Sequence, residues 1–163
     1  MLAEILEKYK VINSVGNTIG KVKDIYLDLN TWNIVGFRIS PGPLKKDFVL
    51  GPGEIVKFDT TDSTIIVNDD FEQDEIPKQP RKDMYPFDEL KKHTVVDSED
   101  KKIGKIYNLE IPYEKLKAFK VWRVLIKTGI SERRLRLHPT EIKEVMETIK
   151  LKGREADYKE EAD

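Results

Sequence analysis

The sequence predicts an all-β protein made of two tandem small barrels, and three observations predict it. One block of residues is used twice. Apolar residues fall in short runs separated by turn residues, and the longest run breaks its alternation at the same place in both copies. Leu6, Lys8, Val11, Ser14 and Ile19-Gly20-Lys21 return as Leu90, Lys92, Val95, Ser98 and Ile103-Gly104-Lys105, at an offset of 84 (103 − 19). Val22, Ile25 and Leu27 return as Ile106, Leu109 and Ile111. Pro52-x-Glu54-Ile55 returns as Pro139-x-Glu141-Ile142 at an offset of 87 (139 − 52), so the second copy holds three extra residues. Such a repeat makes the folding unit a module rather than the chain. Modules of roughly 75 residues have small cores and lean on a neighbour or partner.

The expected order is a first module over 1–76, a proline-containing linker over 77–86, a second module over 87–152 and a charged tail over 153–163. Leu2, Ile5, Leu6 and Tyr9 have helical spacing and predict a short N-terminal helical turn. Val11-Ile12, the turn residues 13–17 and Ile19–Leu29 read as a hairpin, matched by Thr94–Val96, Asp97–Asp100 and Ile103–Ile111. Val22 lies on one parity and Ile25 and Leu27 on the other, as do Ile106 against Leu109 and Ile111. A β-bulge near Lys23-Asp24 and near Tyr107-Asn108 turns all of them inward.

Trp32–Ser40 and Val121–Lys127 are the next strands, with Phe37, Ile39, Val124 and Ile126 inward. Phe48–Leu50 and Leu135–Leu137 follow and stop at Pro52 and Pro139, which lack the N–H a ladder needs. Thr64–Val67 closes the first copy; Val145–Leu151 suits strand or helix, and the repeat favours a strand. Pro77, Pro80 and Pro86 among charged residues suggest a semi-rigid extended linker, and Gly153–Asp163 a frayed helix or disordered tail.

Charge separates the halves. Residues 1–76 hold 8 Lys+Arg against 13 Asp+Glu (−5), and residues 77–163 hold 21 against 17 (+4). Such complementarity favours contact between modules or protomers. The absence of cysteine removes disulfides, thiol catalysis and cysteine-based metal sites, and fits a reducing cytoplasm. No apolar run of about 18 residues is present, so a soluble, cytoplasmic chain without direct membrane insertion is expected.

Residues that could carry chemistry are sparse. His93 and His138 stand outside any ligand cluster, and Ser14 and Ser98 suit turns. Gly20 and Gly104 lack the context of a phosphate loop and read as bends. Asp24 and Asp28 could share a cation, but turn capping or pairing with Lys21 and Lys23 suits them better. No catalytic residue, metal or cofactor is therefore expected, and no enzyme. The better lead is a set of residues expected to face outward: Trp32 in a polar loop, Val49 where the second copy has Arg136, and Trp122 and Leu125 beside inward Val124 and Ile126. Exposed apolar groups of this kind mark protein interfaces. Arg134 and Arg136 join them, in a hairpin equivalent to that of Lys45 and Lys46.

The order of hydrophobic strand, polar turn, Ile-Gly-Lys and apolar-polar-Asp/Asn-apolar resembles the PRC-barrel family. The resemblance runs from Lys8 through Ile19-Gly20-Lys21-Val22-Lys23-Asp24-Ile25-Tyr26-Leu27-Asp28 and again from Leu90 through Ile103-Gly104-Lys105-Ile106-Tyr107-Asn108-Leu109, with Pro112 in place of Asp28. It implies two PRC-type barrels. A tandem pair without other domains is similar to the archaeal CdpB group, which implies a non-enzymatic adaptor of FtsZ-based cell division recruited to the membrane at the division site. Implied partners are a SepF-like FtsZ anchor, a CdpA-like membrane protein, and a second copy or a paralogue in a dimer. The alternative is a RimM-like RNA- or ribosome-binding protein; near-neutral total charge makes nucleic acid the less expected partner.

Overall fold

The computed structural model describes residues 1–112, 119–129 and 133–160. The first copy contains α1 (Ala3–Leu6), β1 (Lys10–Ile12), β2 (Thr18–Asp28), β3 (Asn33–Ser40), β4 (Phe48–Leu50), β5 (Ile55–Asp59) and β6 (Thr64–Val67). A short β7 (Tyr85–Pro86) leads into α2 (Phe87–Leu90), β8 (Thr94–Val96), β9 (Lys102–Glu110), β10 (Arg123–Thr128), β11 (Arg134–Leu137), β12 (Ile142–Val145), β13 (Thr148–Leu151) and β14 (Lys159–Glu160). The chain is nearly all β, as expected. Its two seven-stranded sheets run β4-β3-β2-β1-β6-β5, with β7 also on β2, and β12-β13-β8-β9-β10-β11-β14. Each has one parallel pair at the same place, β1 with β6 and β8 with β13.

The expected bulges are present. Val22 pairs with Ile39 and Asp24 with Arg38, leaving Lys23 over; Ile106 pairs with Ile126 and Asn108 with Leu125, leaving Tyr107 over. The extra residue switches parity, so Val22, Ile25 and Leu27, like Ile106, Leu109 and Ile111, are all buried. Gly20 and Gly104 answer a steric demand: a Cβ on Gly20 would lie 2.5 Å from Ser40 O, and one on Gly104 would overlap Lys127 O. The repeated glycine lets the long strand cross its neighbour closely.

Four features depart from the expectations. Within the expected linker, β7 pairs with β2, Tyr26 opposite Pro86 and Leu27 opposite Tyr85. The expected loose tail is ordered through Glu160: Arg154 and Asp157 close a turn, the Tyr158 hydroxyl accepts a hydrogen bond from Gly153 N–H (2.8 Å), and β14 pairs with β11. The expected last strand does end at Leu151, but residues 145–151 divide into the end of β12, a bend and β13 rather than one strand. Finally, β5 and β12 are strands that alternation did not reveal, because both are partly exposed and their exposure does not alternate.

The two copies are interlocked. Met1 N and Ile111 O, and Ile111 N and Met1 O, bond at 2.8 and 2.7 Å, and Leu2 bridges Glu110, so the N-terminal arm lies on the second copy's β9. Tyr85 and Pro86 stand 84 residues after Met1 and Leu2, and they make the matching pairing on the first copy's β2. Each arm thus serves the other copy. Phe119 crosses as well: its carbonyl accepts from Ile34 N–H, and its ring packs edge-to-face on Phe37 (5.8 Å) and against Phe58 (5.6 Å). One continuous apolar cluster results, running from Ala3 to Leu151 through both sheets.

Candidate protein-interaction site

Of the six residues expected at an interface, three are on the surface. Trp122 is 51% exposed, Arg134 is exposed and Arg136 is half-buried. Trp32, Val49 and Leu125 are buried, which corrects the expectation that they face outward. Trp32 turns in the left-handed region (φ 59°), its N–H donates to Asp28 O, and its carbonyl receives Val121 N–H at 2.9 Å; the crossing segment of the second copy encloses it. Val49 exchanges backbone hydrogen bonds with Asp74 (2.8 and 3.0 Å) and lies over Gly36, where a Cβ would come within 2.7 Å of its Cγ1. Leu125 lies between Asn108 and Arg136 in register, and the Arg136–Glu110 pair reaches across β10 over that face. Parity identified the correct face for Val49 and Leu125, which other parts of the chain cover; Trp32, expected outside from its polar loop, joins the core instead.

Around Trp122 the surface is organised. Trp122 N–H donates to Glu110 O at 2.8 Å, fixing the residue beside the end of β9. Glu110 also takes Arg136 in a bidentate pair, Nε to Oε1 and Nη2 to Oε2, each 2.8 Å. This holds the Arg136 guanidinium 5.4 Å from the Trp122 ring centroid, while Arg123 lies at 5.1 Å and donates to Trp122 O. Farther along the sheet, Arg134 lies 5.4 Å from the Tyr107 ring. Cation–π contacts of this sort contribute about 0.5–1 kcal/mol when exposed and order both partners. The result is a pre-positioned tryptophan amid arginines, the residue types that dominate binding hot spots.

The first copy has no such patch. At the offsets of the repeat, Tyr26, Gly36 and Val49 stand for Glu110, Arg123 and Arg136. They face the chain's own Met84 and Asp74. The outer face is therefore self-covered in one copy and carries exposed Trp122 in the other.

The remaining candidates have structural partners. His93 Nε2 meets Tyr85 OH at 2.7 Å and Nδ1 meets Glu147 O at 3.0 Å; His138 Nδ1 accepts from Thr140 N–H. Ser14 Oγ donates to Asp69 at 2.6 Å, and the Ser98 N–H donates to Gly153 O. Asp28 caps Asn30 N–H, whereas Asp24 lies with Glu7 and Asp88, so the two aspartates do not form a shared site. Sequence reasoning missed this second grouping because Asp88 comes from the other copy. Grooves of about 530 and 840 Å³ lie beside the two Ile-Gly-Lys triplets, bounded by Lys21 and Lys23 in one and by Lys102, Lys105 and Lys127 in the other. Among the described residues, no helix is long and apolar enough to cross a membrane.

No curated protein matches the chain. A family model matches the first copy alone, and the domain it describes is a small β-barrel module often used for protein–protein interaction. Residues 2–74 of this chain carry a PRC-barrel domain.

Proposed function

We propose that this protein is a non-enzymatic adaptor that binds a partner protein through the Trp122 face of its second module. The observation that carries the reading is a half-exposed tryptophan held between two guanidinium groups on a face that the first module covers with its own chain. Divergence between the copies supports a division of labour: one copy supports the interlocked body and the other presents the patch. The similarity of the tandem arrangement to the CdpB group supports a partner within FtsZ-based division, a SepF-like anchor or a CdpA-like membrane protein. In that setting the adaptor is recruited to the membrane at the division site and works as a homodimer or with a paralogue.

Direct binding of the purified chain to a SepF-like protein, compared with Trp122→Glu, tests the reading. A loss of at least tenfold in affinity with unchanged thermal unfolding is expected. Equal binding by both forms removes the Trp122 face from the interface. Salt-dependent RNA binding in place of protein binding would favour the RimM-like alternative.

A further inference from the structure

Asp24 is buried at the seam between the copies, on the bulge of β2. Its Oδ1 accepts from Ile25 N–H at 2.8 Å and from Asp88 N–H, at the start of α2, at 3.3 Å. Asn108 does the same on β9, accepting from Leu109 N–H at 3.0 Å and from Glu4 N–H, in α1, at 3.2 Å. The two seats differ chiefly in charge. Asp24 becomes Asn108 at the repeat offset, and Glu7 becomes Lys91. Asn108 itself cannot ionise, so the duplication contains its own control.

The acidic seat is crowded. Carboxylate oxygens of Glu7, Asp24 and Asp88 all lie within 4.8 Å of one another, and Glu7 Oε1 is buried with no hydrogen-bond partner among the described residues. A proton on Asp24 would remove one of three adjacent like charges. We propose that Asp24 is a proton-operated latch between the two copies: protonated, it adds no charge beside Glu7 and Asp88 and keeps the α2 arm seated on β2; ionised, it repels Glu7 and Asp88 and loosens that arm. This is independent of the partner proposed above.

The charged groups facing Asp24 are Glu7 from the α1 arm and Asp88 and Lys91 from the α2 arm, with Glu4 acting on Glu7 and Lys91 Nζ bound to Asp88 at 3.0 Å. Lys21 and Lys23 of β2 line the groove shared with Glu7, Arg38 stands opposite Asp24 on β3, and Tyr26 is acted on by Asp24, Arg38 and Asp47 together. Burial, then the Asp88 and Glu7 charges, push Asp24 up to about 7 against the two N–H donors, and burial pushes Glu7 up against Lys91. A raised carboxyl means that the folded chain holds a proton that the unfolded chain has released. Stability therefore falls as pH rises from the ordinary carboxylate range to about 7 and levels off above it.

The test uses the full chain. Carbon-detected NMR titration of the Asp24 carboxyl should give a midpoint near 7, falling in Glu7→Gln. Hydrogen exchange at the 87–90 amides, corrected for intrinsic rate, should accelerate above that midpoint in the wild type and show no step in Asp24→Asn. A midpoint in the ordinary carboxylate range, or an unchanged step in Asp24→Asn, overturns the latch. If Asp24→Asn does not fold, the wild-type and Glu7→Gln titrations decide it alone.

Discussion

Glu110 holds Arg136 with both carboxylate oxygens, and that grip keeps the Arg136 guanidinium against Trp122. The pair spans from β11 to β9 across β10, so it orders a surface residue by tying three strands together.

Glu110→Gln keeps the shape but removes the charge-assisted fork. Partly exposed ion pairs contribute about 0–1 kcal/mol to stability, so unfolding should shift by no more than that. Partner affinity should fall more, by about tenfold, because an unheld Arg136 and Trp122 must be ordered on binding. Calorimetric binding and urea unfolding of the same variant separate the two effects.

Gly104→Ala should be costly and Gly51→Ala nearly neutral. The new methyl at 104 would run into the backbone of Lys127 and Thr128, which cannot swing aside as a side chain could, whereas nothing lies within 4 Å of one at 51. Overpacking against backbone costs about 1–3 kcal/mol, against about 0.5 kcal/mol or less at an open site. Urea midpoints of the two variants give the comparison; equal midpoints would mean that the strands do not cross closely at Gly104.

Asp47 predicts the opposite pH behaviour to Asp24. Burial raises its carboxyl, but the Arg38 hydrogen bond (2.9 Å) and Lys23 outweigh this and hold it below the ordinary value. Its contribution is therefore present above the ordinary carboxylate range and lost as pH falls through the lowered value. Asp47→Asn should destabilise by about 1 kcal/mol at neutral pH. The difference from wild type should shrink only as pH falls below the ordinary carboxylate range, as urea unfolding over a series of pH values would show.

How much of this was legible in the sequence depends on how local each cause is. The bulges and strand-ending prolines were readable because parity and a missing N–H act within a few residues. Tyr158 is one aromatic in a charged run, and its seat on Gly153 exists only once β13 is in place. Val49 and Leu125 were placed on outer faces by alternation, which identifies a face and says nothing of Asp74 or the Arg136–Glu110 pair lying over it; Trp32 was placed outside by its polar loop, which says nothing of the Val121 segment that bonds its carbonyl. The arm exchange was invisible for a related reason. Leu6 and Leu90 are equivalent in the repeat, so the pattern cannot tell on which copy each arm will lie.

That exchange carries the last prediction. Phe87 and Leu90 of α2 are buried on a seat formed by β2, and Phe119 adds its ring to Phe37 and Phe58. A fragment of residues 1–76 lacks all three while keeping its own arm, whose seat on β9 is then missing. The repeat alone would make each copy an independent domain; the crossed contacts predict a fragment that is largely unfolded and a full chain that melts in one transition. Leu90→Ala sharpens the contrast, since truncating a buried leucine costs about 2–5 kcal/mol in lost burial and the cavity left behind. The substitution lies in the second copy, yet β2 amides of the first copy should lose exchange protection before those of β9. Loss on β9 first, or a fragment with native dispersion of its amide resonances, would mean that the arms are ornaments on two self-sufficient barrels.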